Sequence, residues 1–114
     1  MKDIMGKLLV NDKTYPMTFN LNVMEAIQEE YGSLEKWGNL TDGSTGEPNA
    51  KAVIFGFTQM INEGLDIEAE ETGAEVKLLT TKQVGRIITA YGLTDATAVL
   101  NNTVVESTQS SEKN

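Results

Sequence analysis

The chain contains no cysteine and no histidine. Without cysteine there can be no disulfide and no thiolate metal site, and a reducing compartment is permitted. Without histidine, the commonest general base and the commonest zinc ligand are both missing. Long apolar runs are missing as well. The longest, "AVIFGF", is far short of the ~20 residues that a membrane-spanning helix needs. The opening "MKDIMGKLLV" carries no signal-peptide apolar region, so the expected location is cytoplasmic, with no membrane partner. Positive charge is also scarce, with 9 Lys and Arg against 17 Asp and Glu, a net charge of −8. Nucleic-acid binding needs clustered cations to neutralise phosphates, and this balance argues against it. It suits a chain whose copies repel one another, or one that meets a basic partner.

A chain of 114 residues fits one domain. It can bury roughly two-thirds of its unfolded surface, enough for a core without covalent staples. The stretch "GKLLV", "NDK", "TYPMTF" predicts a β-hairpin over residues 7–19. Tyr15, Met17 and Phe19 alternate with Pro16 and Thr18 at the period of a half-buried strand. Pro16 donates no ladder bond, which puts this strand at an edge. The turn at Asn11 and Asp12 lacks Gly, and its type stays open.

Helices are predicted over 22–31, 50–63, 81–91 and 95–106. Asn22 with Glu25 reads as a capping-box variant, and Val23, Met24, Ile27 and Tyr31 share one face. Gly32 stops that helix, and Ser33 recaps a short turn, "SLEKWGNL", anchored by Trp37. Asn49 caps the next helix, whose stripe is Ala50, Val53, Ile54, Phe57 and Ile61, with Gly64 as its stop. Thr80 and Gln83 form a capping box ahead of Val84, Ile87, Ile88 and Tyr91. Thr94 caps the last helix, with Ala96, Val99, Leu100 and Val104 inward. Residues 1–106 form the expected globular domain, and 107–114, "STQSSEKN", a disordered polar tail. The fold class is mainly α with a small N-terminal β-hairpin: a hairpin followed by about four short packed helices.

Polar clusters are the places to look for chemistry. Asp66, Glu68, Glu70, Glu71 and Glu75 resemble the start of a calcium loop. With Asp66 at position 1, however, the turn glycine is replaced by Glu71 and the bidentate glutamate by Lys77. The segment reads as a solvated acidic connector. Glu25, Glu29 and Glu30 fit the wet side of a helix better than a glycosidase pair. "DGSTGEPN" lacks the lysine of a phosphate-binding loop, and no serine or threonine has a histidine to activate it. No catalytic residue, cofactor site or metal site is expected. Phe55, Met60, Trp37 and Val105 lie off the stripes. Of these, Phe55, Met60 and Trp37 are the candidate partner-binding residues, against the plainer reading that they pack internally.

The order of elements carries a resemblance. "NDKTYP" in the hairpin comes first, then a helix ending in Glu29–Gly32, then an apolar helix ending in "MINEGLD". Last is the Leu79–Ile88 stretch, which lies in "LLTTKQVGRII". From Lys7 to Tyr91 this resembles the tail assembly chaperones of long-tailed bacteriophages and prophages, especially those of Gram-positive hosts. The resemblance implies a non-enzymatic protein of the host cytoplasm that is absent from the mature virion. It would coat the apolar, helix-rich tape-measure protein and keep it soluble while tail-tube subunits are recruited. It also leaves self-association open. It carries over no catalytic residue. Alternatives from other classes are a structural morphogenesis component, such as a head–tail connector or minor tail protein, and a small acidic regulatory binding module.

Overall fold

The structure is a computed structural model that describes residues 4–112, with side chains described for 6–107. It has the expected class: an N-terminal antiparallel hairpin and then helices, five of them. The hairpin pairs β1 (Ile4–Val10) with β2 (Lys13–Phe19), Val10 opposite Lys13 and Lys7 opposite Pro16. Its loop is only Asn11 and Asp12, both at positive φ (49° and 65°). A two-residue type I′ turn requires this at both positions, and Asn and Asp are the non-glycine residues that tolerate it best. The turn fixes the ladder. Val10 and Lys13 form a hydrogen-bonded pair, so Lys7 and Pro16 fall at a non-hydrogen-bonded pair. The N–H that Pro16 lacks would have pointed away from β1, so the proline costs the hairpin nothing.

The first helix, α1 (Leu21–Tyr31), starts one residue earlier than predicted, because Asn20 and not Asn22 is the cap. Asn20 Oδ1 accepts the Val23 N–H at 3.2 Å. Glu63 of the third helix then ties this corner down: its Oε2 accepts from Asn20 Nδ2 at 2.7 Å and Asn22 Nδ2 at 3.0 Å. The carboxylate thus sits by a helix N-terminus, where negative charge is favoured. The short turn around Trp37 is a true helix, α2 (Leu34–Thr41), capped by Ser33.

The central element is α3 (Ala50–Thr72), and it departs most from expectation. It does not stop at Gly64 but continues to Gly73, whose left-handed φ of 74° ends it. Gly64 is there for closeness. A Cβ on it would lie 2.8 Å from Pro16 Cβ, so the missing side chain lets α3 press against β2. Gly56 has the same role on another face of the helix. Its Cβ would collide with the Trp37 ring, whose indole N–H donates to the Ala52 carbonyl at 2.9 Å. Hairpin and α2 therefore approach α3 through two glycines. The acidic run Asp66–Glu71 belongs to this helix, and only residues 73–80 form the connector.

The last two helices are α4 (Thr81–Tyr91) and α5 (Leu93–Glu112). The Thr80–Gln83 capping box is present in both halves, at 2.8 and 3.2 Å. α5 begins at Leu93, before the predicted Thr94 cap, with Ala96 N–H bonded to the Gly92 carbonyl. It also continues through residues 107–112, in contrast to the disorder expected there. The buried face carries the helix as far as Ser107: Ala96, Leu100, Thr103, Val104 and Ser107 are all buried at helical spacing. Residues 113–114 of the predicted tail lie outside the described residues. Two buried threonine hydroxyls are satisfied within their own helices: Thr58 donates to the Ile54 carbonyl and Thr103 to the Val99 carbonyl, at 2.7 and 2.8 Å.

Candidate binding groove

Trp37 and Met60 are not surface residues. Their exposures are 1% and 0%, and both belong to the main core with Phe19, Ile27, Phe57 and Ile61. The stripe argument misplaces Trp37, on α2, because its ring packs across space on Gly56 of α3, and Met60 by assuming that α3 buries a single face. In fact β2, α1, α2, α4 and α5 all pack on it, so side chains off the stripe are buried too. A fully buried methionine or aromatic contributes about 1.5–3 kcal/mol through burial, which gives both residues a sufficient structural role.

Phe55 is different. It is half-buried and meets Tyr31 edge to face, ring centroids 5.5 Å apart at 76°. The Tyr31 hydroxyl is buried and makes no hydrogen bond within the protein. Burial, reinforced by neighbouring Glu30, pushes the Tyr31 phenol above its ordinary value of 10.0.

Beside this pair, the N-terminal half of α3 and the start of α4 border an open hollow of about 500 Å³. Ile54, Phe55 and Gly85 line it, with Lys51, Thr81 and Lys82. A second hollow of about 180 Å³ shares Ile54 and Gly85 and runs on to Ile88 and Leu93. The two form one groove along α4. Ile54 and Gly85 meet where the two hollows join: an added Cβ would sit 3.4 Å from Ile54 Cδ1, so a side chain much larger than alanine would have to enter the groove. Of the predicted α3 stripe, Ala50 is exposed at the groove edge, while Ile54 is half-buried, packed on the core and lining the groove as well. Leu93 at the far end is 44% exposed. Of the predicted partner-binding residues only Phe55 lies here. Sequence reasoning missed the others, although a signal exists for them: Gly85 inside α4, with Lys82 and Arg86 nearby.

The acidic half of α3 borders a hollow of its own, about 390 Å³, which Glu68 and Glu71 line with Glu75 and Lys77 of the connector, and its lining is more polar than that of the α3–α4 groove. Asp66, Glu68, Glu70 and Glu71 are exposed along a helix surface. Among the described residues no group of three or more metal-ligating side chains could hold an ion. No helix among them is long and apolar enough to cross a membrane. Comparison with protein-family models, curated proteins and solved structures finds no match, so no relative lends this chain its site.

Proposed function

We propose that this chain is a non-enzymatic tail assembly chaperone of a long-tailed phage or prophage, acting in the bacterial host cytoplasm. It binds the tape-measure protein, keeps it soluble and helps recruit tail-tube subunits, and it leaves before the virion is complete. The observation that carries the reading is the open apolar groove between α3 and α4, beside Phe55. A partner helix that is insoluble alone needs such a surface, and it needs no chemistry from its carrier. The net charge of −8 supports the same role, because a loaded complex with a charged exterior resists aggregation.

The test is to look downstream of this gene for a reading frame that encodes a very long, helix-rich protein, and to co-express the two. The long protein should move from the pellet to the soluble fraction and copurify with the chain. If it stays insoluble and no complex forms, the chaperone reading fails. Detection of the chain in purified virions would favour a structural tail component instead.

A further inference from the structure

Charge is unevenly divided in this molecule. From Ala50 to Asn62, α3 carries Lys51 and no acid, and α4 carries Lys82 and Arg86 and no acid. The second half of α3 holds Glu63, Asp66, Glu68, Glu70 and Glu71. A chain with net charge −8 thus reserves a basic rim for its apolar groove. Lys51 and Lys82 line the larger hollow, and Arg86 follows Lys82 one turn along the same helix. The first turn of α4 opens at this end as well, adding its partial positive charge.

We propose that the groove takes an amphipathic helix of the partner protein that carries acidic residues beside its apolar stripe. Its carboxylates face Lys51 and Lys82, and its apolar side chains lie over Ile54 and Gly85 towards Leu93. The identity of the partner rests on the chaperone reading; the chemistry of the occupant rests on the groove alone. The fit is one of length as well as charge. The 11 residues of α4 span about 16 Å, or three turns, which matches anchors at i, i+3, i+4 and i+7.

Two sources of negative charge oppose this. Glu30 pairs with Lys51 at 3.8 Å, but their side chains are 45% and 79% exposed, so an incoming carboxylate competes easily. The acidic end of α3 starts at Glu63, about 18 Å along the helix from Lys51 at 1.5 Å per residue. That is beyond the screening length of about 8 Å at physiological salt. It lies nearer Lys82, since Asn62 bonds to Leu79 three residues before Lys82, so Lys51 carries the larger share of the charge preference.

The experiment uses two designed, fluorescently labelled helical peptides with one leucine stripe, flanked by glutamate in one and lysine in the other. Their affinities for the full chain are read by anisotropy. The glutamate peptide should bind about tenfold tighter, and its advantage should shrink as salt rises. The double variant Lys51→Glu, Lys82→Glu should reverse the order. Both substitutions put glutamate in the first turn of a helix, where it is favoured. Lys51→Glu also faces Glu30, so an intact thermal transition of the double variant is checked before its binding is read. Gly85→Leu, checked for an intact thermal transition, should abolish binding of both peptides.

Equal binding of the two peptides, binding of neither, or unchanged binding by Gly85→Leu overturns the proposal. So does a dimer of the chain that Gly85→Leu dissociates, which would assign the groove to a second copy. Co-expression separates this result from the wider reading. If the wild-type chain and Gly85→Leu both solubilise the long partner, the groove assignment fails and the chaperone reading stands. If the wild-type chain does not, the chaperone reading fails, and the peptide ranking still decides what the groove accepts.

Discussion

The side-chain amide of Asn62 holds both backbone polar groups of Leu79. Nδ2 donates to the Leu79 carbonyl at 3.0 Å, and Oδ1 accepts the Leu79 N–H at 2.8 Å. The amide thus imitates one rung of a sheet and fixes the end of the 73–80 connector just before the Thr80 cap. Asn62→Ala leaves two half-buried backbone groups to find new partners. The expected loss is about 1–3 kcal/mol by urea unfolding. Amide exchange should rise first in the connector and the first turn of α4, with α1 unchanged. Uniform acceleration throughout would mean that the contact supports the whole fold.

Space decides the sign of three glycine substitutions. Gly38 lies within α2, and a Cβ added there would meet nothing within 4 Å, so Gly38→Ala should gain up to about 1 kcal/mol from helix propensity. Gly64→Ala makes the same gain but presses on Pro16, and the net should be a loss of about 1–2 kcal/mol. Gly56→Ala drives into the buried Trp37 ring and should cost more than either. Thermal unfolding separates them at about 4 °C per kcal/mol for a domain of this size. A stabilised Gly64→Ala would show that hairpin and α3 can separate at no cost.

Tyr31 should ionise late. Its phenol stands above 10.0 in the folded chain because burial disfavours the anion and Glu30 repels it. The unfolded chain then loses its proton first as pH rises. The stability this group contributes is fully present below the unfolded value near 10 and is lost as pH climbs through the folded one. Phenolate absorbance should contain a delayed component that Tyr31→Phe removes. Phe55→Ala, by loosening the edge-to-face contact and admitting water, should bring that component back towards the ordinary range.

Neutralising the acidic end of α3 should not unfold the protein. Asp66 and Glu70 are four residues apart, Glu68 and Glu71 three, so like charges neighbour each other on the helix surface. All four also lie towards the helix C-terminus, where negative charge is unfavourable. Changing them to their amides should therefore raise stability by tenths of a kcal/mol each, or leave it unchanged, while solubility falls. A clear drop in urea midpoint would mean that these carboxylates hold a contact in the fold.

Caps and stripes make most elements legible in the sequence, because both are local. Thr80 with Gln83, Ser33 and Asn49 all cap as read, and Val23, Ile27, Val84, Ile88, Ala96 and Leu100 are buried as read. The failures share a cause. Gly64 reads as a stop signal, but glycine serves close approach as well as left-handed turns, and only Pro16 across space distinguishes the two. Trp37 and Met60 read as peripheral because nothing in the local pattern says how many elements surround α3. The groove is half legible. Phe55 stands about 140° round the helical wheel from Ala50, visibly off the stripe. That Gly85 faces Ile54 is a fact of tertiary packing.

Pro16 has a consequence for the chain while it is being made. β1 is synthesised before the other described elements, yet it packs on α4 and α5, which follow all the others. At ordinary rates of translation the hairpin waits on the order of ten seconds for that cover. During this interval its edges are open to any neighbouring nascent strand. A proline whose missing N–H faces outward removes one donor from the β2 edge without weakening the hairpin. The same residue that later receives Gly64 thus acts earlier as a guard against strand pairing between chains on neighbouring ribosomes.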